Sequence, residues 1–138
     1  MILVDSNIIL DIVTNDSTWI DWSLKTLQKY SEHSKLAINP IIYAEVSIGF
    51  EKIEDLEKAL PIEFFERLPL SVESLFLAGK CFLKYKQNKG SKLSVLPDFF
   101  IGAQAAVLKI PLMTRDTARY TTYFPTIQLI APASRIEV

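Results

Sequence analysis

Short β-branched or aliphatic runs alternate along this chain with longer stretches of helical spacing, and that alternation limits the fold more than any other feature. The first run, Ile2-Leu3-Val4, is continuous, as expected of a strand covered on both faces. "KLAIN", "FFERLPL", "PLMTRD" and "TIQLIAP" offer four more. Strands alternating with helical segments imply an α/β fold with a mostly parallel sheet of about five strands. No repeat or low-complexity linker divides the 138 residues, so one domain spanning 1–138 is expected, able to bury roughly two-thirds of its unfolded surface.

Helices are expected from about Asp16 or Thr18 to Glu32, over "NPIIYAEVSIGFEKI", from Ile53 to Leu60, from Ser71 to about Lys86, and over "LPDFFIGAQAAVLK". Asn39 can cap the second, and Pro40 suits its first position because a proline lacks only an N–H that would go unpaired there. Asn88-Lys89-Gly90 should end the fourth, and Pro111 the fifth.

Cys81 and His33 are each the sole residue of their type, which rules out an internal disulfide and any Cys/His zinc spacing. A reducing cytoplasm is the expected home, with no signal-peptide pattern and no run of about 18 apolar residues to span a membrane. A net charge of −1 and a pI near 5.8 give no overall basic footprint, so a polyanion would need a local patch. The mean hydropathy of +0.21 is high for a soluble monomer, and some apolar surface should meet a partner.

In a parallel α/β sheet, ligands bind outside the carboxyl ends of the strands. Asp5 ends the first strand and Asp116 ends the fourth. Asp98 stands in the first turn of a helix that starts at the same edge, and Glu45 lies near the start of another, among apolar neighbours where a carboxylate needs a partner or a cation. Each has a structural role available: Asp5 as a cap for "NIILDIV", Asp98 on a helix dipole, Asp116 in a turn. Together they are harder to explain. Four carboxylates within about 5 Å would repel by roughly 3 kcal/mol per pair at an effective dielectric of 20, so cations must compensate. Oxygen ligands without His or Cys favour Mg²⁺ or Mn²⁺.

The stretches "ILVDSNIILD", "NPIIYAEVSIGF", "LPDFFIGAQA" and "LMTRDTARYTTYFPTIQLIAP", in this order and over nearly the whole chain, resemble a PIN domain, and in size and layout a VapC-type toxin of a toxin–antitoxin pair. The resemblance implies a three-layer α/β/α fold and metal-dependent hydrolysis of RNA. It places the acidic quartet on Asp5, Glu45, Asp98 and Asp116, holding Mg²⁺ or Mn²⁺, with 5′-phosphate and 3′-hydroxyl products. It also implies Asn7 as a brace for Asp5, Thr114 as a hydroxyl near the site, and a cognate antitoxin that covers the acids. Many relatives have a glycine before the fourth strand, where this chain has Lys109-Ile110.

RNA would need positive charge near the acids. Lys84, Lys89 and Lys92 lead towards Asp98, and Arg115 and Arg119 flank Asp116; a solvated surface is the competing explanation for the lysines. The helices around "WIDWSLKTL" and "VESLFLAGKCFL" carry enough large apolar groups for a homodimer face and a groove for a partner peptide. An RNA-processing nuclease that is not a toxin, and a non-catalytic PIN-like binding module, remain as alternatives. A haloacid-dehalogenase-type phosphatase would want an acid where Asn7 stands, and a receiver domain would want paired early acids. Serine or cysteine hydrolysis lacks a suitable histidine, since His33 lies in a polar stretch.

Overall fold

The computed structural model describes residues 1–133. Five strands, β1 (Ile2–Val4), β2 (Leu36–Ile38), β3 (Phe65–Arg67), β4 (Leu112–Met113) and β5 (Leu129–Ile130), form one sheet in the order β3-β2-β1-β4-β5. Every pairing is parallel. Between them run α1 (Ser6–Val13), α2 (Ile20–Ser31), α3 (Pro40–Ser47), α4 (Ile53–Ala59), α5 (Val72–Gln87), α6 (Leu96–Leu108) and α7 (Ala118–Tyr123). The result is a three-layer α/β/α arrangement. No helix among the described residues is long and apolar enough to cross a membrane.

The strand order decides where a site can form. From β1 the chain steps outward to β2 and β3, then returns across the sheet to β4 and continues to β5. With right-handed crossovers this reversal puts the two sets of connections on opposite faces and opens a crevice between β1 and β4, beyond their carboxyl ends. Leu3 pairs with Leu112 and Val4 with Met113, and the Asp5 N–H extends the ladder to the Met113 carbonyl at 2.9 Å. Asp5 and Thr114 therefore leave the sheet side by side.

Continuous apolar strands are buried on both faces, as their sequence implied: Leu3, Val4, Ala37, Ile38, Leu112 and Met113 have no exposed surface. Asn39 Oδ1 accepts the Ile42 N–H at 2.8 Å and caps α3. Its amide donates to Gln104 Oε1, whose own amide donates to the Pro69 carbonyl, so one buried polar chain ties α3 to α6 and to the end of the third strand. Ser71 caps α5 in the same way as Asn39 caps α3.

One expected boundary needs correction, whereas α5 ends at Asn88-Lys89-Gly90 as expected. The helix begun at Pro40 stops at Ser47, because the N–H groups of Ile48, Gly49 and Phe50 bond three residues back and tighten the last turn. Helix α5 closes on Lys89, at φ 65°, while no glycine takes a positive φ. Asn15 and Lys109 do the same after α1 and α6, each followed by an N–H that reaches five residues back, to Asp11 and Ala105. Lys109 thus takes a left-handed position, φ 55°, that a glycine would adopt without strain. Finally, α7 was not anticipated; its Tyr120 is 2% exposed and Phe124, just after it, 3%.

Helix α6 can approach that segment only because residue 102 is glycine: a Cβ there would stand 2.5 Å from the Phe124 ring. Gly102→Ala should therefore destabilise the protein by about 1–2 kcal/mol, overpacking outweighing the helix-propensity gain of about 1 kcal/mol. Urea unfolding of both proteins checks this, with a lower midpoint and unchanged slope expected.

Candidate active site

Asp5 is the deepest of the four acids, 3% exposed at the end of β1. It is also the N-cap of α1, its Oδ1 accepting the Ser6 N–H at 2.7 Å, so the structural and the chemical role fall on one residue. Oδ2 accepts from the Thr114 hydroxyl at 2.9 Å and from the Tyr120 hydroxyl at 2.9 Å. The Asn7 amide donates to Thr114 Oγ1 at 3.1 Å and lies 3.5 Å from Asp5 Oδ2. Thr114 Oγ1 further accepts the Asp116 N–H at 3.2 Å, which turns the chain after β4.

Two hydroxyls extend this set to the other acids. Ser6 Oγ donates to Glu45 Oε1 at 2.9 Å, joining α1 to α3. The Tyr120 hydroxyl lies 3.4 Å from Asp98 Oδ1, between that carboxylate and Asp5. Asp98 Oδ2 accepts from Arg119 at 2.6 Å. Asp116 is exposed, and its side chain makes no hydrogen bond among the described residues. The four acids thus face one edge of the sheet, linked through Ser6, Thr114 and Tyr120. They do not close into a cage: among the described residues no three His, Cys, Asp or Glu side chains stand close enough to hold one ion.

The charges nevertheless act on one another. Burial pushes the Asp5 carboxyl up to about 6, only partly offset by the Thr114 and Tyr120 hydroxyls, and Asp98 adds to the rise. Glu45 is raised by burial and by the charges of Asp5 and Asp98. Asp98 is raised by burial and by Asp116, against the pull of Arg119. Burial and the same carboxylates push Tyr120 well above its ordinary value, so it stays a donor.

The expected basic residues divide into two groups. Lys84, Lys89 and Lys92 are exposed. Arg115 is committed elsewhere, with Nε and Nη2 on Asp11 at 2.8 and 2.9 Å and its guanidinium 5.4 Å from the Trp19 ring. Asp11 also accepts from Ser23, and the Arg115 N–H donates to Asn7, so this pair fixes the loop before Asp116 against α1 and α2. Ser6, Asp11 and Tyr120 escaped the sequence reading. Ser6 adjoins Asp5 and could have been suspected, whereas Tyr120 reaches the site only through α7.

The chemistry of this donor set, though not its present spacing, suits a hard divalent ion. The candidate ligands are all oxygen, their mutual repulsion is incompletely offset, and Glu45 Oε2 and the Asp116 carboxylate carry no protein hydrogen bond among the described residues.

Residues 2–124 match the model of the PIN domain family, and the chain belongs to it. No curated protein sequence matches. Solved structures with the same fold include VapBC2 from Rickettsia felis bound to a promoter DNA fragment, 20% identical over 95% of this chain and 98% of that one, with a TM-score of 0.72. A toxin–antitoxin complex from Klebsiella pneumoniae is 22% identical over 96% and 98%, with a TM-score of 0.71. VapBC-1 from nontypeable Haemophilus influenzae is 20% identical over 95% and 98%, also at 0.71.

An acid whose folded pKa lies above its unfolded value near 3.8 holds its proton more tightly when folded. Its stabilisation is complete below about pH 4 and is lost as pH rises through about 6. In chelator, Asp5 should cost the folded protein about 3 kcal/mol between these limits, with Glu45 and Asp98 acting in the same direction. Thermal unfolding across pH 4–8 should show the melting temperature falling over this window, with a shallower fall in Asp5→Asn.

Proposed function

We propose that this chain, one PIN-like domain over residues 1–138, is a Mg²⁺- or Mn²⁺-dependent endoribonuclease and the toxin of a type II toxin–antitoxin pair. The observation that carries the reading is the convergence of Asp5, Glu45, Asp98 and Asp116 on the switch-point edge of a parallel sheet, in a PIN-family chain, with three of them raised in pKa by burial and by one another. That several similar structures are toxin–antitoxin complexes supports the toxin role.

Asp5, Glu45, Asp98 and Asp116 would hold the ion, which when bound supplies an activated water and neutralises charge on the scissile phosphate. The protein's own groups do the rest. Ser6, Thr114 and Tyr120 fix the Asp5 carboxylate by donating to it, and Asn7 holds Thr114 in place. The Arg115–Asp11 pair holds the loop that presents Asp116. Lys84, Lys89 and Lys92, exposed at and beyond the end of α5, attract the RNA backbone and make binding salt-dependent.

A cytoplasmic setting and a cognate antitoxin belong to the same proposal. So does a homodimer: Val72 and Phe76, 73% and 68% exposed at the start of α5, offer apolar surface for self-association.

RNA incubated with Mn²⁺ or Mg²⁺ should be cut internally, cutting should stop in chelator, and Asp98→Asn should slow it by about 10²-fold or more. RNA that is bound but left intact under all metal conditions would replace this reading with that of a binding module.

A further inference from the structure

Among the described residues stand two Arg–Asp pairs, and they are built differently. Arg115 grips Asp11 with two hydrogen bonds; Asp11 is 2% exposed and takes a third bond from Ser23. Arg119 meets Asp98 through one bond of 2.6 Å, and the two side chains are 25% and 26% exposed. The first pair is locked. The second can open without breaking the fold.

The surroundings of Arg119 favour such an opening. Its helix is anchored by the buried Tyr120 and Phe124, so the side chain can leave Asp98 while the backbone of α7 stays in place. The Tyr85 ring lies 6.0 Å from the guanidinium and offers a cation-attracting face to receive it. Asp98, in turn, feels Asp116 directly and acts on Asp5 and Glu45, and Arg119 is the cation paired with it. A guanidinium and a divalent ion would satisfy the same need at the same oxygen.

We propose that Arg119 is a tethered cation that competes with the divalent ion for Asp98 and so sets the ion concentration at which the site fills. This rests on the metal-site reading above and assigns Arg119 a positioning role on Asp98 in place of a primary contact to RNA. Metal entry releases the guanidinium; metal loss restores the pair. The acidic edge is thereby partly neutralised in both states.

Calorimetric titration of Mn²⁺ into the full chain and into Arg119→Gln, at one pH, tests it. The variant should bind about five- to tenfold more tightly, the scale of a partly exposed charge-assisted pair. Arg119→Lys, which keeps the charge, should stay within about twofold of the parent. Binding by the variant alone would also support the proposal. Equal or weaker Mn²⁺ binding by a folded Arg119→Gln, with the parent binding normally, would overturn it while leaving the metal site intact, as would a lysine variant as tight as the glutamine one. Failure of both parent and variant to bind would overturn the metal-site reading itself.

Discussion

The parallel pairing of β1 with β4 is the constraint from which the rest of the site follows. It brings together residues 109 positions apart, Asp5 and Thr114, where neither could meet through local structure. Because both strands are apolar on both faces, the first polar residues after them emerge at the boundary between a dry core and the open crevice. Asp5 is consequently held where ionisation is costly, and it is made tolerable by three donors rather than by a counter-charge.

A carboxylate arranged in this way is poised for a cation. Thr114, Tyr120 and the Ser6 N–H orient it and reduce its desolvation cost, but they bring no positive charge. Arg119 brings one, to Asp98 alone. Arg115, which stands next to Asp116 in sequence, spends its charge on Asp11 and stiffens the loop instead. The balance of charge at the edge therefore remains acidic, which suits a centre that takes up a metal ion and then a phosphate.

Much of this was legible before the fold was known, for physical reasons that can be named. Three-residue apolar strands, the Asn39-Pro40 start and the Ser71 cap are local signals, and local signals survive in a sequence. The four acids could be singled out because the carboxyl edge of a parallel sheet is a general binding locus, and because their order resembles the PIN pattern. Helix α7 was missed because six residues, "ARYTTY", carry two β-branched threonines and no side-chain cap, so its formation depends on burying Tyr120 and packing Phe124 against Gly102. With α7 went the Tyr120 bridge and the direction of Arg119. The Arg115–Asp11 pair spans 104 residues and left no local trace. The left-handed Lys89 was likewise hidden behind the neighbouring Gly90, whose composition suggested the turn but not which residue would bear it.

The central claim is that Asp5, Glu45, Asp98 and Asp116 form one divalent-metal centre. Anomalous diffraction at the manganese edge from crystals grown with Mn²⁺ tests it most directly. A peak is expected at the crevice between β1 and β4, bounded by oxygens of these carboxylates, with the Arg119 guanidinium withdrawn from Asp98. Manganese bound only elsewhere, with the Arg119–Asp98 pair intact and the four carboxylates still apart, would contradict it.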